Sequence, residues 1–281
     1  LLLQVNGFMS YILSTSNTSS KGLQAAEYAA GLAMELSCPL LLAYAYVVPV
    51  TFGEVPLPVM PADEAKRIAE EHAVAARKAI EARFPDLYVT TDVAYGDLAD
   101  VLEEIVQRKT PWLTIIGNDE EPDAEGLIGV YARRMLREAG HPVLAVPHST
   151  VFSVPKHVGI AVDDRCLNEG AALESLAQLR GLLGFRISVL RVLTEDSKPT
   201  DFSETKLGKQ LSGESVSYVE LPPSGAVDQA IAEYAVGPGA MDWIAIVPHH
   251  YNFWEGLFHR SHTTHMLHLV HKPILALHGS I

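Results

Sequence analysis

HPVLAVPH, residues 141–148, comes back near the end of the chain as KPILALHG, residues 272–279. Each is a short apolar run behind a proline, without polar alternation, as a strand covered on both faces requires. Each also closes a longer pattern, for EGLI at 125–128 is answered by EGLF at 255–258. A run that recurs together with its neighbour marks an internal repeat, and the rest of both copies can be laid out from it.

In the first copy YILSTS (11–16) reads as a strand and SSKGLQAAEYAAGLAMEL (19–36) has Ala and Leu at helical spacing. PLLLAYAYVV (39–48) is a buried strand, and ADEAKRIAEEHAVAARKAIEARF (62–84) is a long amphipathic helix rich in helix formers. LYVTTDVAYG (87–96) is a strand, DLADVLEEIVQRK (97–109) a helix, PWLTIIG (111–117) a strand and EGLIGVYARRMLREAG (125–140) a helix ended by Gly140. With 141–147 as the last strand, the order is βαβαβαβαβ.

The second copy follows. KHVGIAVDD (156–164), FRISVLRVL (185–193), VSYVELP (216–222), DWIAIVP (242–248) and KPILALH (272–278) read as strands. NEGAALESLAQLRGLLG (168–184), AVDQAIAEYAV (226–236) and the stretch 259–271 read as helices. This copy is shorter, chiefly where the long second helix of the first copy stands. Strands alternating with helices imply parallel, doubly wound sheets. The expected architecture is α/β, with tandem domains at 9–149 and 155–281 about a polar, turn-rich linker, HSTVFSVP (148–155). Met9 fits as a start, the residues before it being an addition or an upstream translation.

Of the 281 residues, 48% are hydrophobic and 20% charged, which suits a globular protein with a real core. No apolar run reaches the length of a membrane span, and no signal-peptide pattern opens the chain. The net charge of −13 disfavours nucleic acid as a partner. The two cysteines, Cys38 and Cys166, provide no disulfide framework and no C-x-x-C, which fits the cytoplasm. Cys38 reads as a small core residue at a strand entrance. No pattern pairs a nucleophile with a base, so no catalytic residue is assigned.

The element order, the first strand with its terminal acid (Asp163; Asn17 in the first copy), and the last helix running into PVLAV or PILAL make the chain resemble the universal stress protein family in its tandem form. The resemblance covers nearly all of residues 10–279. It implies the adenine-nucleotide alpha-hydrolase-like fold and a regulatory or protective role in stress. Some members bind ATP or AMP, with Mg, through a G-x2-G-x9-G-[ST] loop after the fourth strand. There glycines let backbone approach phosphate, and a helix N-terminus supplies donors.

Both copies depart from that loop. Counting back from Pro142 puts Gly129-Val130 at the final pair, so the glycine is kept and the hydroxyl lost. Gly117 matches the first glycine if the loop is one residue shorter, and NDEEPD (118–123) places four acids where phosphate would lie. Counting back from Pro273 gives Arg260-Ser261, with Phe253, Trp254 and Phe258 in the loop before it. The family's glycine after the third strand is Gly96 in the first copy, followed by Asp97; the second copy has ELPPSG. Nucleotide candidates are therefore Asn17, Gly96, Gly117, Gly126 and Gly129 in the first copy, with Asp163 and Ser261 in the second. Asp163 is equally suited to capping the helix that follows it.

HRSHTTHMLHLVH (259–271) has a histidine at every third position. Steps of three turn a helix by about 300°, so the series spirals through roughly 240° and cannot converge on one ion. A zinc site would need His249 or His250 beside His259 and His262; otherwise these are ordinary helix residues or contacts for an anion.

The sequence leaves two functions open. One is a stress protein acting through an unnamed protein partner, its nucleotide loops degraded, and not an enzyme. The other binds ATP or AMP with slow hydrolysis, modulated by zinc at the His-rich helix. Family members pair through their last strands, so 142–147 and 273–278 are expected to pair within the chain as a pseudo-dimer, with room for a further homodimer.

Overall fold

Alternating strands and helices form parallel β-structure in each of two units, residues 1–117 and 118–281. The computed structural model describes residues 4–5, 8–9, 11–15, 20–48, 60–117, 130–148, 150–169, 173–193, 197–211, 213, 215–222, 227–237, 240–247 and 271–278. In the first unit a short antiparallel pairing of β1 (Gln4–Val5) with β2 (Phe8–Met9) precedes the main elements. These are β3 (Ile12–Thr15), α1 (Ser20–Glu35), β4 (Leu40–Tyr46), α2 (Ala62–Arg83), β5 (Val89–Tyr95), α3 (Leu98–Lys109) and β6 (Leu113–Gly117). The strand order is β6-β3-β4-β5, all parallel. The chain winds outward from β3 and returns on its other side, which puts the switch point between β3 and β6.

The centre of this unit follows from its sequence. Ile12, Leu13, Leu40, Leu42, Leu113, Ile115 and Ile116 are essentially inaccessible. Each such side chain contributes roughly 1.5–3 kcal/mol by leaving water. α2 turns Ala65, Ala69, Ala73, Ala76 and Ile80 inward, and the four alanines let a long helix lie close to its neighbours. Its outer face carries the pairs Lys66–Glu70, Arg67–Glu71 and Arg77–Glu81 at i,i+4 spacing.

The second unit contains α4 (Val130–Glu138), β7 (Val143–Val146), β8 (His157–Val162), α5 (Asp164–Glu169), α6 (Glu174–Leu183) and β9 (Arg186–Val192). A 3-10 turn (Phe202–Glu204), α7 (Lys206–Gln210), β10 (Val216–Leu221), α8 (Val227–Val236), β11 (Trp243–Ile246) and β12 (Ile274–Ala276) follow. The strand order is β10-β9-β8-β11-β12-β7. Every pairing is parallel except β12 with β7, whose antiparallel register joins Ile274 to Ala145 and Ala276 to Val143. The two sequences that reveal the repeat are thus hydrogen-bonded to one another. β7 closes the first repeat by sequence, yet belongs to the second unit by its packing.

One detail differs from the pattern read along the chain. The helix expected over 168–184 is two helices, and the first begins at Asp164, directly after β8. As the shorter second copy implies, where the first repeat has the 22-residue α2 the described residues between β9 and β10 form only the 3-10 turn and the five-residue α7. Among the described residues no helix is long and apolar enough to cross a membrane.

Candidate functional site

Ligands of open parallel sheets bind beyond the carboxyl ends of the strands. In the first unit that edge is formed by Thr15, Tyr46, Tyr95 and Gly117, the last residues of β3, β4, β5 and β6. Tyr46 and Tyr95 are the final register pair of β4 and β5. Their rings meet edge to face, with centroids 5.7 Å apart and planes at 70°. Gly96 follows with φ +142°, a conformation that favours glycine, and its N–H donates to the Tyr46 carbonyl at 2.9 Å. Asp97 then caps α3, its Oδ1 accepting from Ala99 N at 2.9 Å. The glycine therefore turns the chain from strand into helix and leaves a low rim beside the tyrosines.

The same edge of the second unit is filled by its own polar groups. Asp163 Oδ1 accepts from Cys166 N at 2.7 Å, so this carboxylate is the N-cap of α5. Arg191, only 1% exposed, donates from Nε to Asp164 Oδ1 at 2.6 Å and from Nη1 to Glu220 Oε1 at 2.8 Å. Its Nη2 donates to the Lys198 carbonyl at 3.0 Å. Burial works against the guanidinium charge, but the hydrogen bonds with Asp164, Tyr218 and Glu220 outweigh it and raise the pKa. Tyr218 donates to Glu220 at 2.9 Å and stacks on Phe202, with centroids 4.6 Å apart.

Sequence reasoning missed this cluster. The signal was present: Arg191 is a fixed charge inside the apolar strand FRISVLRVL, and such a charge needs partners.

At the opposite, amino end of β8 and β9, a histidine and two serines form a chain. Arg186 Nη2 lies 3.3 Å from His157 Nδ1, and a guanidinium can only donate, so Nδ1 accepts. Nε2 then carries the proton and donates to Ser188 Oγ at 2.7 Å; Ser188 in turn donates to Ser217 Oγ at 2.7 Å. In this tautomer His157 offers Ser188 no lone pair, so the pair is not a nucleophile with its base. The thiols are no better placed. Burial pushes Cys38 up to about 11 and Cys166 up to about 12, the latter with help from the Asp163 charge.

Of the residues singled out by sequence, the structure places Gly96 and Gly117 at the edge of the first unit and Asp163 at that of the second. Asn17, Gly126, Gly129 and Ser261 lie outside the described residues, as do His249, His250, His259 and His262. Among the described residues no group of three or more His, Cys, Asp or Glu is gathered to hold a metal ion.

Comparison with known proteins points the same way as the topology. The family model described as the universal stress protein family matches residues 12–147. A universal stress protein from Archaeoglobus fulgidus DSM 4304 is similar over 98% of this chain and 100% of its own, at 13% identity and a TM-score of 0.69. A functionally unknown protein from Pseudomonas aeruginosa PAO1 is similar over 96% of this chain and 92% of its own, at 18% identity and a TM-score of 0.59. The cytoplasmic domain of a prokaryotic cation chloride cotransporter is similar over 96% of both chains, at 10% identity and a TM-score of 0.53. At these identities the structural likenesses speak for the fold alone. No curated protein matches the sequence.

Proposed function

We propose that the chain, whose residues 12–147 match the universal stress protein family, serves the stress response as a regulatory or protective protein whose ligand capacity lies in the first unit. The ligand is an adenine nucleotide, brought with its Mg ion, at the edge formed by Tyr46, Tyr95, Gly96 and Gly117. The observation that carries this division is the state of Asp163. The second repeat's acid at the end of its first strand is engaged as the N-cap of α5. Beside it, Asp164 and Glu220 are engaged by Arg191.

In the first unit Gly96 fits the approach of a ligand backbone. A Cβ built there would meet Val101 at 3.4 Å, ordinary contact, so the positive φ and not crowding is what calls for glycine. The donors such a site can offer phosphate are backbone N–H groups, and the nucleotide supplies the negative charge they bind. With both thiols pushed up and His157 held in its donating tautomer, the chain acts by binding rather than by chemistry. Its place is a reducing compartment, the cytoplasm, where the two buried free cysteines persist. A protein partner reads the loaded and empty states.

The test is thermal melting of the full chain with and without millimolar ATP–Mg or AMP, zinc being removed by chelator. Ligand at a hundred times its dissociation constant adds about 2.7 kcal/mol, several degrees for a chain of this size. An upward shift that Gly96→Val abolishes is the expected result. An unchanged melt for the wild type leaves a stress protein that acts without nucleotide.

A further inference from the structure

We propose that His157 and Arg186 form a proton-operated latch at the amino edge of the second unit, in which neutral His157 holds the guanidinium and protonation at Nδ1 releases it into solvent. The latch rests on the contacts of these side chains and is independent of any nucleotide at the first unit. It gives the chain a way to register acidification without a ligand. His157 is 6% exposed and Ser188 3%, whereas Arg186 is exposed. The hydrogen-bond chain from Arg186 through His157 and Ser188 to Ser217 ties together the amino ends of β8, β9 and β10. Its direction is fixed at the arginine, since a guanidinium has no lone pair to offer. Nδ1 is therefore the nitrogen that takes up a proton, and it lies 3.3 Å from Arg186 Nη2. Once it does so, two donors and two positive charges face each other. His157 is buried and still donates from Nε2 to Ser188, so the exposed arginine is the member that leaves.

A buried histidine can serve simply to pin neighbouring strands. Two observations take this one further. First, the register of the repeats makes Leu13 equivalent to Gly159, because each lies four residues before the strand-end residue, Asn17 or Asp163. Leu13 pairs with Leu41, and Gly159 with Ser188. Two places back, the first repeat has Tyr11 and Pro39 where the second has His157 and Arg186. Tyr11 is pushed up to about 12, chiefly by burial, so the first repeat builds this edge without a group that titrates near neutrality. Second, a counter-charge for the protonated ring is already in place. Asp242 Oδ2 accepts from Lys156 N at 2.7 Å and from His157 N at 3.0 Å, so a carboxylate at the start of β11 favours the charged imidazole. The exposed Lys156 opposes it. Around the same end the described elements bring Arg180, whose Nη2 lies against the turn at Gly213, and the close of α8, with Glu233 exposed and Tyr234 half-buried. The ring thus stands between a carboxylate that favours its proton and a guanidinium that resists it, and the guanidinium is the one in solvent.

The experiment is nuclear magnetic resonance of the full-length, nitrogen-15-labelled chain between about pH 8 and about pH 5. It follows the His157 ring nitrogens, assigned by their loss in His157→Gln, and the Overhauser contacts between His157 and Arg186. At the alkaline end His157 is expected as the Nε2–H tautomer in contact with Arg186. On acidification Nδ1 takes a proton, and the contacts to Arg186 vanish over the same range. Arg186→Gln, which keeps a donor and removes the charge, should raise the midpoint of the His157 titration by about one pH unit, while Arg186→Lys stays near wild type. Asp242→Asn, which keeps an acceptor for both backbone N–H groups, should lower the midpoint. An Nδ1–H tautomer at the alkaline end, contacts to Arg186 that outlast the titration, an unchanged midpoint in Arg186→Gln, or a ring that stays neutral until the chain unfolds would each overturn the latch. Far-UV circular dichroism confirms that the variants are folded.

Discussion

Tyr44 and Arg191 occupy equivalent positions of the two repeats, three residues beyond Leu41 and Ser188 on strands of matching register. In the first unit Tyr44 Oη lies 3.1 Å from Nδ1 of His72, a residue of α2. In the second no long helix follows β9. Arg191 meets Asp164, Glu220 and the Lys198 carbonyl instead. The shortened repeat thus replaces a helix–strand contact by an ionic cluster built from a helix start, a neighbouring strand and a connecting segment.

Arg191→Ala should therefore destabilise the second unit by about 3 kcal/mol, the lower end for a broken buried ion pair. The lower end applies because the carboxylates left behind can rehydrate: the Asp164 and Glu220 side chains are 52% and 35% exposed. Arg191→Met, which keeps bulk and removes charge, should lose more when Asp164 and Glu220 are intact than when they are Asn and Gln. Urea unfolding of the four combinations measures the coupling. A loss below about 1 kcal/mol in Arg191→Ala would show that the cluster is a surface ornament.

The fold was legible where burial follows from composition. LLLAYAY and the alanine stripe of α2 could hardly be other than strand and helix, and both lie where the pattern put them. The start of α5 was legible in part: Asp163 could be read as the cap of the following helix, while the alanine-rich pattern placed that helix from 168 and not from Asp164. The partners of Arg191, though not its need for them, were illegible for a different reason. Asp164, Arg191 and Glu220 are far apart in the chain and meet only through the register of β8, β9 and β10. Tyr46 and Tyr95 are likewise neighbours only because β4 and β5 end together.

Asp163 offers a test of capping against ligand contact. Asp163→Ala should cost about 1 kcal/mol of stability through the lost bond to Cys166 N, and Asp163→Asn should recover most of it. Neither should change the affinity for AMP or ATP, since the nucleotide belongs to the other unit. An Asp163→Ala chain of unaltered stability but weakened nucleotide binding would reverse the assignment.

Two glycines in helices should respond in opposite directions. Gly181, in α6, has nothing within 4 Å of an added Cβ, so Gly181→Ala should stabilise by about 0.5–1 kcal/mol through helix propensity. Gly208, in α7, would drive that atom into the Phe202 carbonyl oxygen. The obstacle is backbone, so Gly208→Ala must displace the turn at 202–204 and should destabilise by more than 1 kcal/mol. Melting temperatures of the two variants, measured side by side, decide the matter; equal shifts would contradict the close packing of α7.

The thiols should be inert in the folded chain. With Cys38 at about 11 and Cys166 at about 12, the thiolate fraction at pH 8 is on the order of one in a thousand or less, and both residues are buried. A disulfide reagent should label neither within minutes in buffer and both in strong denaturant. Rapid labelling of the native protein would mean that the α1–β4 or β8–α5 junction opens readily.

His141 should contribute to the acid side of the stability profile. Burial pushes its pKa down to about 4 from the usual 6.5, so the folded ring stays neutral where the unfolded one is charged. Between those values the unfolded state binds more protons, and stability rises with pH. The favourable contribution is complete above about 6.5 and is lost as pH falls toward 4. It amounts to at most about 3 kcal/mol, and less because the residue keeps some contact with solvent. His141→Gln removes the titrating group. The difference in urea midpoint, wild type minus variant, should therefore fall as pH is lowered from 7 to 4.5, whatever its sign at neutrality. Profiles that stay parallel across that range would assign the acid sensitivity to other groups.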